Sequence, residues 1–243
     1  MKAMEPSNRT DTDRLWAILV TVAAISFAVS PFVVTPFSGF EPGRFPVPVD
    51  TPPIQPAGWA FSIWGLIYLW LVAGAVFGLL KRADAPDWRA HRPAAFASLA
   101  IGSIWLPVAN ASPIWATILI LAMLVAALVA LARAPARDAP WARWPLGLYA
   151  GWLTAASFVS LATLAAGYGL ATAQTASWIA LPLAVLIAAG VTLRLGTSTY
   201  PAAAAWAAIG IALANWPGPY ALAALAGAVA LALLAALSAT RTP

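Results

Sequence analysis

Residues 57–82 read AGWAFSIWGLIYLWLVAGAVFGLLKR. No side chain from Ala57 to Leu80 carries a charge, and the run ends on the basic pair Lys81 and Arg82. A helix needs roughly 20 apolar residues to cross a hydrocarbon core of about 30 Å. An unpaired backbone amide in that core costs several kcal/mol, so only helices and closed barrels span it. The stretch is therefore predicted to be a membrane-crossing helix with a basic terminus.

Seven further apolar stretches lie on either side of it, at 15–34, 94–109, 113–132, 144–168, 176–195, 201–216 and 219–237. Those at 94–109 and 201–216 are short and carry Pro, Gly or Asn. The composition agrees: the chain is 62% hydrophobic and 9% charged, with a mean hydropathy of +0.84, whereas soluble domains are about 25% charged. The expected fold is all-α, a polytopic helical membrane protein with eight spans.

The basic residues fix an expected orientation. Lys2, Arg9 and Arg14 precede the first span; Lys81, Arg82, Arg89 and Arg92 follow the second; Arg133, Arg137 and Arg143 follow the fourth; Arg194 closes the sixth and Arg241 follows the last. The opposite side has only Arg44. Lys and Arg near span ends resist translocation, so both termini are expected in the cytoplasm. The net charge of +5 then needs no nucleic-acid partner, because the basic loops suit an anionic leaflet. The first stretch is longer than a signal-peptide core, follows acidic residues and lacks a small-residue cleavage site, so it is expected to be retained. With no cysteine, disulfides, thiolate metal sites and thiol nucleophiles are excluded.

No carboxylate falls in an expected span, and the single histidine, His91, lies in a basic gap. Ionisable groups inside a membrane mark proton relays and ion pathways. Their absence argues against a proton-coupled pump, a channel built on charged side chains, a buried metal centre or a histidine-held haem. No base sits beside a buried serine, which argues against hydrolysis.

Aromatic and small residues fill the spans instead. Trp16, Trp144, Trp178 and Trp216 sit where an interfacial belt would place them. Trp64, Trp105 and Trp152 lie deeper and are expected either to pack between helices or to wall a cavity for a flat apolar ligand. Thr154, Ser157 and Ser160, with Thr163 beyond, form a polar line along the fifth span. Such a line serves interhelical contacts, bonds to the helix's own carbonyls or a ligand; Ser157 is its ligand-facing candidate. The pairs Gly74–Gly78 and Gly147–Gly151 match the small-xxx-small spacing. Residues 36–56 include Pro42, Pro46, Pro48, Pro52 and Pro53. This loop is expected to be extended and semi-rigid, and its length suits a lid.

The series Pro56, Trp59, Phe61, Trp64, Leu66 and Tyr68 resembles the opening of the second helix in the TspO/MBR family. These are the tryptophan-rich sensory proteins related to the mitochondrial translocator protein, or peripheral benzodiazepine receptor. Trp105-Leu106-Pro107 resembles the family's Trp-x-Pro block in the third helix, and Tyr149, Trp152 and Ala156 its Pro-Tyr-x-x-Trp block in the fifth. The resemblance covers roughly residues 12–168. It departs from the pattern at Gly102, where the family commonly has Asn, at Val108 and Ala109, at Ser160 for another Asn, and in the displacement of the proline to Pro145. The cholesterol-recognition pattern is absent, so sterol binding is not carried over.

The resemblance implies a TspO-like five-helix bundle at 15–168 behind a tail at 1–14, with about three additional helices and a short tail at 169–243. It further implies a ligand cavity near the non-cytoplasmic end under the proline-rich loop. Trp59, Phe61, Trp64, Tyr68, Trp105, Tyr149 and Trp152 are the implied ligand-binding residues. The implied ligand is a planar hydrophobic molecule, a tetrapyrrole such as a porphyrin, held without covalent attachment in a sensory or regulatory receptor. A transporter of tetrapyrroles or other hydrophobic compounds is the alternative, and photo-oxidation or degradation of the bound pigment by nearby indoles is a third reading. No catalytic residue and no metal ligand is assigned. The expected setting is a bacterial cell membrane, with the lipid bilayer as partner, and the resemblance also allows a homodimer.

Overall fold

The computed structural model describes residues 6–35 and 39–240, and every regular element among them is helical. Residues 1–5, with Lys2, the first residues of the proline-rich loop (36–38) and Arg241 lie outside the described residues, whereas residues 6–14, expected as tail, are helical and form the start of the first helix. The elements are α1 (Pro6–Val33), α2 (Ile63–Arg82), the single turn α3 (Pro86–Arg89), α4 (Arg92–Ala111), α5 (Pro113–Arg133), α6 (Arg143–Gly167), α7 (Ala173–Leu195), α8 (Thr199–Ala214) and α9 (Pro219–Ala239). A 3-10 turn, Gly58–Ser62, leads into α2.

Among the described residues, seven helices are long and apolar enough to cross a membrane. The eighth apolar helix, α8, has 16 residues, about 24 Å at the usual rise, short of a full core. It lies against α6 and α9, which shield it. Local signals set the boundaries. Ser112 accepts from Trp115 N at 3.4 Å, and Pro113 follows at the first position of α5. Thr172 caps α7 by accepting from Thr175 N at 3.1 Å, and Gly196, at φ 60°, ends it in the left-handed conformation.

The first five long helices close a ring in the order α1, α2, α6, α5, α4. Helix α6 is the shared wall: one side packs on α2 and α5, the other on α7 and α8. Tyr149, Ala150 and Leu153 within it are wholly buried. A Cβ on Gly151 would overlap the carbonyl of Tyr200 and lie 3.0 Å from Ala203 Cβ. The Gly147–Gly151 pair is thus a close helix–helix contact with α8. The Gly74–Gly78 pair is not: it makes room for the carbonyl of Trp141 and the ring of Trp88, which come from connecting segments.

Polar side chains tie the helices where hydrocarbon leaves no water to satisfy them. The Tyr149 hydroxyl donates to Ser98 Oγ at 3.0 Å, and Ser98 donates to the Met123 carbonyl at 2.8 Å, joining α6, α4 and α5. Tyr200 donates to Thr154 Oγ1 at 2.7 Å, because the Thr154 proton is already on the Ala150 carbonyl. Tyr220 donates to the Ser177 carbonyl at 3.0 Å, joining α9 to α7.

The basic loops gather at one end of the bundle. Arg82 grips Asp138 at 2.7 and 3.1 Å, and Arg89 pairs with Asp13. Arg92, 2% exposed, spreads its donors over the carbonyls of Asp13, Ala83 and Arg82. The Arg82 guanidinium holds the Asp138 carboxyl below its ordinary value.

Candidate ligand chamber

Helices α1, α2, α4, α5 and α6 enclose a cavity of about 260 Å³ at the end opposite the basic loops. Helix α6 supplies one wall through Trp152, Ala155, Ala156, Val159, Ser160 and Thr163, a spacing of three and four that keeps them on one face. Helix α2 and its leading turn supply Phe61, Trp64 and Tyr68, and α4 supplies Trp105. The indole of Trp105 is fixed by its Nε1 donating to the Ala116 carbonyl of α5 at 2.9 Å. Trp64 stacks on Tyr68, with centroids 5.2 Å apart at 17°, and meets Trp152 edge-on at 6.2 Å. Phe61 also meets Trp152 edge-on, at 5.6 Å.

Phe27 of α1 also lines the chamber and carries much of the aromatic packing. Its ring meets Tyr68 at 5.0 Å, Trp64 at 5.7 Å and Tyr149 at 5.8 Å, each edge-on. That position exists because residue 102 is glycine. A Cβ there would stand 2.8 to 3.0 Å from three atoms of the Phe27 ring.

The proline-rich loop lies over this hollow as a strap, placing Gly39, Phe40, Val49, Asp50, Pro52, Gln55 and Pro56 in the lining. It is fastened chiefly to the ends of α6, α7 and α8. Val47 N donates to the Gly167 carbonyl at 2.9 Å, and Ala57 N to the Gly210 carbonyl at 3.1 Å. Ile54 N donates to Ser177 Oγ at 3.3 Å, and Asn215 Nδ2 to the Pro53 carbonyl at 2.8 Å. Trp206 Nε1 donates to the Ala60 carbonyl at 2.8 Å, bracing the turn before α2. A proline has no N–H, so the few free amides of the strap carry its attachment.

Five of the eight residues expected at the site line this one cavity: Phe61, Trp64, Tyr68, Trp105 and Trp152. Trp59 stands outside it, 43% exposed, with its ring edge-on to Trp206 at 4.9 Å. Tyr149 lies beneath the chamber, fully buried, and uses its hydroxyl on Ser98. Ser157 is buried but absent from the lining: five residues past Trp152, it points roughly 140° round the helix. Its Oγ has no hydrogen-bond partner among the described residues, nor has Trp152 Nε1. The polar line of α6 therefore divides, with Thr154 turned to Tyr200 and Ser160 and Thr163 turned to the chamber. The prolines and the length of residues 36–56 mark the strap in the sequence, whereas Phe27, on a helix distant in sequence, carries no local signal.

No group of three or more His, Cys, Asp or Glu able to hold a metal occurs among the described residues. The chamber is mostly apolar, lined by aromatic rings and covered by the strap. No curated protein and no solved structure matches the chain. A family model described as TSPO-like protein matches residues 14–238, from α1 through α9. The chain therefore belongs to the TSPO-like protein family, as an integral, multi-pass helical membrane protein.

Proposed function

We propose that the protein is a membrane receptor that holds a planar, apolar ligand in the chamber under the strap, with a tetrapyrrole as the first candidate from its family. The observation that carries this reading is the convergence of Phe61, Trp64, Tyr68, Trp105 and Trp152 on one hollow roofed by a pinned loop. Aromatic pairs contribute about 0.5–1.5 kcal/mol beyond area burial, so such a set favours ring-shaped guests. On this reading the basic end faces the cytoplasm and the strap faces outward. Binding is favoured over transport by the packing below the chamber. Ile67 and Tyr149, both wholly buried, occupy the helix positions between it and the much smaller hollow, about 40 Å³, near the basic end.

The test is a titration of the purified protein in detergent with protoporphyrin, following tryptophan fluorescence and the porphyrin absorption band. Saturable quenching is expected, weakened by Trp64→Ala or Trp152→Ala. Trp59→Phe should leave it unchanged, because that ring lies outside the chamber. No saturable quenching, or none altered by Trp64→Ala, refutes the reading.

A further inference from the structure

Two side chains in the chamber keep hydrogen-bonding groups that the fold leaves unused. A buried hydroxyl on a membrane helix commonly returns its proton to the carbonyl four residues back. Thr154 and Thr163 do so, donating to Ala150 and Val159 at 2.9 and 2.8 Å. Ser160, between them on α6 and 6% exposed, makes no side-chain hydrogen bond among the described residues. Ser157 Oγ also lacks a partner but is sealed in packing, whereas Ser160 Oγ opens into the hollow it lines. On the strap, half-buried Gln55 lines the same hollow, and its amide group is likewise without a hydrogen bond among the described residues.

The height of these groups gives the chamber a polar end and an apolar end. Gly167 of α6 receives the strap through Val47 N. At the helical rise, Ser160 lies about 10 Å below that point and Trp152 about 22 Å. Gln55, Ser160 and Thr163 thus belong to the outer end, while the deeper lining is aliphatic and aromatic, with Tyr68 as its one hydroxyl. The Thr163 proton is already on Val159, so the free side-chain donors at the outer end are the Ser160 hydroxyl and the Gln55 amide. A buried donor left unpaired is costly, which favours a guest that brings acceptors to this height. Asp50, also on the strap, is exposed, so water and salt screen its charge and it does not bar an acidic acceptor.

We infer that the guest is two-edged: a hydrogen-bond-accepting edge, of carboxylate or carbonyl substituents, lies under the strap against Ser160 and Gln55, and a hydrocarbon edge lies toward Trp152. Ser160 is the residue that selects such a guest over an all-hydrocarbon ring of the same shape. This rests on the chamber being the binding site, and it orients the ligand within it. A tetrapyrrole with its acidic side chains along one edge meets the requirement.

The experiment compares protoporphyrin with etioporphyrin, which shares the macrocycle but carries only alkyl substituents. Each is titrated into the full-length protein in detergent, with tryptophan quenching as the readout. The wild-type protein should bind protoporphyrin more tightly. Ser160→Ala should weaken protoporphyrin about tenfold, the scale of one hydrogen bond to a charged acceptor, and Gln55→Leu should weaken it in the same direction. Both variants should leave etioporphyrin affinity and the melting temperature unchanged, which separates a lost donor from a damaged chamber. If Ser160→Ala weakens both porphyrins alike, or neither, the edge assignment is overturned while the chamber stands. If neither porphyrin binds the wild-type protein, the chamber reading falls with it.

Discussion

Replacing Gly102 by alanine tests whether the chamber floor depends on the close approach of α4 to Phe27. The added Cβ would lie 2.8 Å from one ring atom of Phe27 and within 3.0 Å of two more. Overpacking of this kind costs about 1–3 kcal/mol, while Gly→Ala inside a helix returns up to about 1 kcal/mol of propensity. The net change, roughly 0–2 kcal/mol destabilising, is too small to decide the matter alone. A double-mutant cycle with Phe27→Leu does decide it, because leucine lacks the ring edge that the Cβ would meet. Gly102→Ala should destabilise the wild-type background and stabilise the Phe27→Leu background by up to about 1 kcal/mol, a coupling of about 1–3 kcal/mol. Intrinsic-fluorescence melting in detergent reads it directly. Effects of the same sign and size in both backgrounds would refute the steric account of Gly102.

The strap contacts predict that Asn215→Ala, which deletes a donor worth about 1 kcal/mol to the Pro53 carbonyl, raises amide exchange at Ile54 and Ala57 about fivefold. Exchange within α4 and α5 should stay unchanged, and equal acceleration everywhere would count against a local anchor. Tyr200→Phe should cost about 0.5–1.5 kcal/mol in melting, because it removes the one donor bridging α8 to Thr154; an unchanged melt contradicts that bond. At the basic end, Arg82 lowers the Asp138 carboxyl pKa, so its stabilisation is present above the ordinary Asp value of about 3.9 and is lost as pH falls through the lower folded value. Asp138→Asn keeps a residue tolerant of the local φ of 60° and should lower stability at pH 7 while flattening the decline below pH 4. An unchanged acid profile would dismiss the clamp.

The helical membrane fold was legible because hydrocarbon punishes unpaired backbone so heavily that uninterrupted apolar runs have one main outcome. Trp64, Trp105 and Trp152 were legible as deep aromatics for a related reason: each lies well inside its run. Ser157 was misleading. A spacing of three along 154, 157 and 160 drifts round the helix by about 60° per step, so the line begins against Tyr200 and ends in the chamber. Trp59 was carried over by resemblance, yet its position in the 3-10 turn sets it on Trp206. The pairing of Gly102 with Phe27 could not be read from either residue, since it is a fact about two helix backbones.

The three helices after α6 take their meaning from what they touch. Helices α7 and α8 supply Ser177, Trp206, the Gly210 carbonyl and Asn215, and each of these binds the strap or the turn leading into α2. Without α7 and α8, the backbone groups of Ile54, Pro53, Ala57 and Ala60 would lose these partners at the edge of the apolar layer, at about 1–3 kcal/mol for each one left unsatisfied. Gly147 and Gly151 let α8 lie close enough to reach them. Ending the chain after Tyr168 should therefore loosen the roof before it disturbs the five-helix ring: protease cleavage within 39–57 should appear while Trp105 stays shielded from a water-soluble quencher. Simultaneous loss of both would mean that α7 to α9 hold the ring itself together, and the strap only through it.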